Sequence, residues 1–396
     1  MTEKIKALAE KYNDYIIEKR RYFHTCPELP LHEEETTKSI VKELAAMGLE
    51  AETFDGIFGC TATLKGALPG GTVLLRADID ALPVTEKTGL PFASQKEGVM
   101  HACGHDAHIA MLLGAARILC DIKDEIKGSV KFFFQPAEEL AQGAKKAVEL
   151  GVMDGVDAAY GTHVWGQVDA GKISIEHGER MASCDMFTLT VHGEASHGSA
   201  PHLGCDAIVA ASAVIMALQA IISRKNNPLN ASVLTIGTFD GGQRFNIIAD
   251  KVVMDGTVRT FNPKFRMDIE HIIRQTAEDI CRGYGCTAEL EYKYLTGAVI
   301  NSDAKVVDTA RRAAEKLYGE DFLGTMEKLT GSEDFAYLME KAPSVYTFLG
   351  GRSADVPGSE KSNHHECYTI DEKILKTGAA TAAQFAVDML EEIAGK

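Results

Sequence analysis

Four short stretches, far apart in the chain, carry side chains of the kind that hold metal ions or move protons. "MHACGHDAH" (100–108) sets Cys103 and His105 one residue apart, with His101, Asp106 and His108 around them. "FQPAEE" (134–139) ends in the adjacent carboxylates Glu138 and Glu139. "GTHVWG" (161–166) supplies His163, and "SNHHECYTIDE" (362–372) supplies His364 and His365. In extended backbone, positions i and i+2 point the same way, so Cys103 and His105 can reach one ion. On its own the pair reads equally as a buried thiol beside a histidine, or as a thiol nucleophile with a base. Adjacent glutamates past a strand fit a surface pair at a helix start. They also fit a division of labour, in which one carboxylate binds metal and the other stays free as a general base. The sum changes the weight of each part. Cys, His and Glu are the donor types Zn²⁺ prefers, with Mn²⁺ and Co²⁺ as further candidates. Five such donors exceed the needs of one hydrolytic ion with an open position. They suit two ions about 3.5–4 Å apart.

The elements that must position these groups alternate short apolar runs with helical patterns. "TVLLRADIDALP" (72–83) ends in Asp78 and Asp80, "SVKFFFQPAEE" (129–139) in the two glutamates, and "AAYGTHVWG" (158–166) carries His163 near its end. "SVYTFLGG" (344–351) is a fourth run. Runs this apolar predict strands covered on both faces, hence a mostly parallel α/β sheet with its site at the strand C-termini. The middle of the chain differs. "FTLTVHG" (187–193), a helical "CDAIVAASAVIMALQAIIS" (205–223), "SVLTIGTFDGG" (232–242), "KVVMDGTVRTF" (251–261), a helix from Pro263 capped by Asn262, and "TAELEYKYL" (287–295) follow in turn. That order is β-α-β-β-α-β, the ferredoxin-like pattern. It predicts a second domain over 181–296 inserted into an α/β domain made of 1–180 and 297–396.

The 396 residues are 45% apolar and 25% charged, with net charge −16 and no basic run, which disfavours nucleic acid as a partner. No run is expected to serve as a membrane span. The charged amphipathic start, "MTEKIKALAEKYNDYIIEKRRYFH", does not read as a signal peptide, and nine scattered cysteines suit reduced thiols; both point to the cytoplasm.

Several longer stretches carry a resemblance: "RRYFHTCPELPLHEEET", "RADIDALPVTE", "MHACGHDAHIAMLLGAA", "FQPAEE", "GTHVWG", "ASHGSAPHLGCDAI", "GTVRTF" and "GSEDFAYL". Together they resemble the aminoacylase/carboxypeptidase family of dimetal metallopeptidases, and within it the amidohydrolase subgroup of N-acyl-amino-acid amidohydrolases, hippurate hydrolases and auxin-conjugate hydrolases. The resemblance implies an α/β catalytic domain with an inserted lid or dimerisation domain. It implies two divalent ions per subunit, Zn²⁺ foremost, held by Cys103, His105, Glu139, His163 and His364. Glu138 falls on the family's general base and His197 on its catalytic lid histidine. Asn246 and Arg259 fall on positions that hold the substrate carboxylate. Asp80, and by a weaker match Asp106, fall on carboxylates that orient a ligand histidine. Where the family often has a proline soon after the last ligand, this chain has Glu366 and Cys367, which leaves His365 beside His364 as a candidate. The implied activity is hydrolysis of N-acyl amino acids by a homodimer, with a tetramer as the alternative assembly. The alternatives are a dipeptidase or carboxypeptidase of the same family, and a thiol amidase built on Cys103.

Overall fold

The computed structural model describes residues 1–395 and divides into two compact units. The first comprises Met1–Gly178, Ile300–Glu327 and Asp334–Lys396; the second comprises Glu179–Val299 and Lys328–Glu333.

The first unit opens with three helices, α1 (Thr2–Lys11), α2 (Asn13–Thr25) and α3 (Glu34–Ala46). Strands β1 (Ala51–Thr53), β2 (Cys60–Lys65) and β3 (Leu68–Asp78) follow, then α4 (His105–Asp121), β4 (Lys127–Gln135), α5 (Gly143–Glu149) and β5 (Ala158–Asp169). Later parts of the chain add β6 (Ile173–Ser174), α8 (Ala304–Tyr318), β14 (Leu323–Gly324), α9 (Ala336–Met339), β15 (Ser344–Arg352) and α10 (Leu375–Ala394). The strands form one sheet in the order β1-β2-β4-β3-β5-β15-β6-β14. Its centre is parallel: β3 pairs with β4 and β5, and β5 with β15. Phe132, Phe133 and Phe134 of β4 are all fully buried, as a strand covered on both faces requires. Helix α4 is buried along most of its length and packs on α2, α10 and β3. The register puts Asp78 opposite Gln135, so the chain leaves β3 and β4 at the same level, and the Ile79 N–H donates to the Gln135 carbonyl. Asp80 and the two glutamates therefore emerge side by side. His163 departs from its expected place near a strand end: β5 runs on to Asp169, and His163 lies within it, opposite Phe348 of β15.

The chain crosses between units at β7 (Gly178–Met181) and β13 (Val299–Asn301). The second unit contains β8 (Cys184–His192), α6 (Ala207–Ala220), β9 (Ser232–Ile236), β10 (Asp240–Gly241), β11 (Lys251–Thr260), α7 (Pro263–Gly283) and β12 (Thr287–Thr296). Its antiparallel sheet runs β9-β11-β8-β12 and pairs β10 beside β11, the strand order of a ferredoxin-like fold. Side chains cap both helices: Asp206 accepts from the Ile208 and Val209 amides, and Asn262 from the Phe265 amide. The expected span of 181–296 needs correcting. Residues 179–299 belong to this unit, and so does the remote segment 328–333, whose Leu329 and Gly331 carbonyls both accept from the Ala182 amide while the Leu329 amide donates to Arg180.

Among the described residues one helical stretch, Ala207–Lys225, is long and apolar enough to cross a membrane by length and composition alone. One side of this helix, with Ala207, Ala210, Ala211, Val214 and Leu218, is buried in the second unit's core. Ile208, Val209 and Met216 are left exposed on the rest of it.

Candidate metal centre

Cys103 and His105 converge by a route different from the extended backbone expected of them. Gly104 between them has φ +90° and ψ 17° and forms the N-cap of α4, so the chain turns sharply there. Only glycine fits: its φ is positive, and a Cβ would lie 2.5 Å from Cγ2 of Val164. The turn gathers three donors, Cys103, His105 and His163, whose ligand atoms lie within 4.8 Å of one another. A second set, Cys103, Glu139 and His364, meets the same criterion, as does a third, His105, Glu138 and Glu139. Cys103 Sγ is common to the first two. It lies 3.3 Å from His163 Nε2, and His364 Nε2 lies 3.4 Å from Glu139 Oε1.

The histidines are held in the tautomers that metal binding demands. His105 Nδ1 is 2.9 Å from the Asp80 carbonyl and His163 Nδ1 is 2.7 Å from the Val164 carbonyl. A carbonyl only accepts, so each Nδ1 carries a proton, which leaves Nε2 as the atom each ring would offer to an ion. His105 Nε2 is buried and makes no hydrogen bond among the described residues, which is an orphaned donor atom aimed into the cluster. Thiolate, imidazole and carboxylate donors around such an atom fit a Zn²⁺-type ion or a pair of them.

Electrostatics mark the cluster as a cation site: its carboxylates hold protons on His105 and Cys103 that a bound ion would replace. Burial works against a charged His105, yet Asp78, Asp80 and Glu139 hold its pKa up to about 10. Burial, then Glu139, Glu138 and Asp78, pushes the Cys103 thiol far above its ordinary value. Burial, then the His108 ring, holds His163 well below the usual imidazole range, so it is neutral. The surroundings of Cys103 are acidic, the opposite of the electropositive setting that makes a cysteine a nucleophile. A bound cation would reverse that balance.

The remaining candidates sort by position. His364 joins the cluster from a loop, with φ +72° and its amide bonded to the Ala102 carbonyl, whereas the His365 ring accepts from the Cys367 amide in a local turn. Asp80 orients His105 through its carbonyl, and its Oδ2 accepts the Glu139 N–H at 3.0 Å. Asp106 needs correcting: it is buried but faces α2, accepting from Arg20 Nε and His24 Nδ1, each at 2.8 Å, and it holds no ligand histidine. His108 is buried, with Nδ1 bonded to Asp78 and Nε2 accepting the Val164 N–H, so both nitrogens are used and neither is left for an ion. Sequence reasoning missed Asp78, which Arg76 and His108 clamp beneath His105, and Asp334, which accepts from Arg76, Gln135 and the Ala144 amide. Asp78 lies in the quoted run but carries no spacing signal, and Asp334 meets its partners only through the fold.

Within the second unit, His197 and Asn246 are neighbours: His197 bridges Ile247, and the Gly198 amide donates to the Asn246 carbonyl. Arg259 lies near the far end of β11, its guanidinium donating to Ser332 at 2.9 Å. Eight residues of strand between Lys251 and Arg259 span about 26 Å, and residues 246–250 run on past Lys251, alongside 193–197. One copy of this unit therefore does not by itself bring Asn246 and Arg259 onto one carboxylate.

A cysteine–histidine–carboxylate cluster at the head of a mostly parallel sheet, in a chain with a ferredoxin-like second unit, defines a metallohydrolase class. Residues 74–388 match peptidase family M20/M25/M40, and the chain belongs to that family of hydrolases. It is 38% identical over 389 residues to a Bacillus subtilis N-acetylcysteine deacetylase, covering 98% of this chain and 100% of that one. It is 37% identical over 390 residues to thermostable carboxypeptidase 1 of Saccharolobus solfataricus, covering 98% of each. Among solved structures, a Bacillus subtilis dinuclear metal-binding peptidase of the M20 family superposes with TM-score 0.86 at 36% identity, covering 96% of this chain and 99% of that one.

Proposed function

We propose that this chain hydrolyses the amide bond of N-acyl amino acids at a centre of two divalent metal ions, Zn²⁺ foremost. The observation that carries the proposal is the pair of donor sets, Cys103–His105–His163 and Cys103–Glu139–His364, joined at one sulfur. The first set would hold one ion, the second the other, and Cys103 both. Ions held there would supply Lewis acidity, polarising the scissile carbonyl and lowering the pKa of a bound water. Glu138, next to a ligand and assigned no ion of its own, takes the proton from that water and passes it to the leaving nitrogen. Arg259 binds the substrate carboxylate, for which its planar fork is suited. His197, paired with Asn246, donates to the developing oxyanion. Their place beyond the opposite end of β11 from Arg259 supports a homodimer in which these two residues serve the partner's site, and the exposed apolar side of α6 supports a second copy as its cover. The acidic net charge supports a partner other than nucleic acid, and nine unpaired cysteines support a reducing, cytoplasmic setting.

The carboxypeptidase relative favours one alternative, hydrolysis of small peptides. A single experiment addresses both. The enzyme is stripped with EDTA, reconstituted with Zn²⁺, Mn²⁺ or Co²⁺, and assayed on N-acetyl and N-benzoyl amino acids and on dipeptides. Activity should vanish on stripping, return with metal, and favour the acyl amino acids; preference for dipeptides would install the alternative. Activity indifferent to EDTA would overturn the metal mechanism.

A further inference from the structure

Glu138 stands on backbone that is held against its own preference. Ala137 before it has φ +49° and Ala141 after it φ +55°, both in the left-handed region that side chains disfavour. Such conformations persist where the surroundings over-determine them. Here two carboxylates do so. Glu33, fully buried just ahead of α3, accepts the Ala137 N–H at 2.8 Å. Asp80 accepts the Glu139 N–H at 3.0 Å. The amides of the residues on either side of Glu138 are thus each tied to a different carboxylate.

The Glu33 loop is itself anchored to the Asp80 segment. The Glu28 carbonyl accepts the Ala81 N–H, and the Glu28 carboxylate accepts the Thr36 N–H at 2.7 Å. Glu33 occupies the N-cap position of α3, yet its side chain makes no cap there and reaches a residue 104 positions away. Burial, then the Asp80 charge, pushes its carboxyl up to about 7. Either protonation state keeps an oxygen able to accept the amide, as would the carbonyl of a glutamine.

We propose that Glu33 is a positioning residue for Glu138, fixing through the Ala137 N–H the turn that aims the Glu138 carboxylate. It touches neither ions nor substrate. The inference rests on the reading of Glu138 as general base. The test uses the metal-loaded enzyme and Glu33→Met, which fills the space without an acceptor, beside Glu33→Gln, which restores one. Glu33→Met should lower kcat about tenfold to a hundredfold, the scale of a misplaced catalytic group. KM and bound metal should stay near wild type, the melting temperature should fall only by the few degrees one unpaired buried amide costs, and Glu33→Gln should recover most of the rate. In a Glu138→Gln background, Glu33→Met should cost nothing further, because the group it aims is gone. Unchanged kcat in Glu33→Met, no recovery in Glu33→Gln, an equal loss in the Glu138→Gln background, or metal and stability falling in step with kcat would each overturn the role. Full turnover by Glu138→Gln alone would remove the base reading and this proposal with it. A dead Glu138→Gln beside an unaffected Glu33→Met would remove only the proposal.

Discussion

At the scale of single residues, the centre turns on one sulfur. Cys103 belongs to both donor sets, so its removal touches both proposed ions at once. Cys103→Ala should lose at least one ion per chain by elemental analysis, together with activity; two retained ions would exclude the shared-sulfur arrangement. Glu138 gives a separable outcome. Glu138→Gln should lose most turnover, about a hundredfold or more for a general base, while both ions stay bound. Loss of metal in that variant would assign Glu138 to the ions instead. The donors themselves were legible in the sequence because their chemistry is written in residue type: few folds gather cysteine, histidine and paired glutamates by accident. Their supports were not legible. Asp78, Asp334 and Glu33 are ordinary acidic residues, and each acquires its job only when strands and loops up to 258 positions apart are brought together.

At the scale of elements, two turns do the aiming. The Gly104 turn starts α4 and swings Cys103 and His105 together. The 136–143 loop carries both glutamates and closes on itself, with the Gln142 and Gly143 amides donating to the Ala137 carbonyl. Gly143 is the tighter constraint, since a Cβ there would lie 1.5 Å from the Pro136 carbonyl oxygen, which no rotamer can relieve. Gly143→Ala should destabilise the fold by about 1–3 kcal/mol or more, the cost of overpacking, seen as a lowered melting temperature. A melting temperature equal to wild type would show that the loop can shift freely. Apolar runs announced the strands of the sheet, and the β-α-β-β-α-β order announced the second unit. The turns escaped because their geometry depends on close approaches from elsewhere. The extended-strand reading of Cys103–His105 reached convergence by the wrong backbone, and His163 lies within a longer strand because β15 continues to pair with β5 past the histidine.

At the scale of the whole molecule, α6 joins sequence to assembly. Its uniform apolarity comes from one side packed in the second unit's core and another, with Ile208, Val209 and Met216, left uncovered. The proposed dimer predicts that Met216→Lys shifts the protein toward monomer in sedimentation and lowers activity with it; a wild type that sediments as a monomer would remove the dimer. The split of the chain has a further consequence. The second unit is made of two separate pieces, so the chain passes between units four times, at 178/179, 299/300, 327/328 and 333/334. A chimera that exchanges only the continuous stretch 179–299 with a relative would leave the hexapeptide 328–333 behind, with its ties to Arg180, Ala182 and Arg259 matched to the wrong host. Recombination within this lineage thus has a built-in rule of inheritance: the two pieces must travel together.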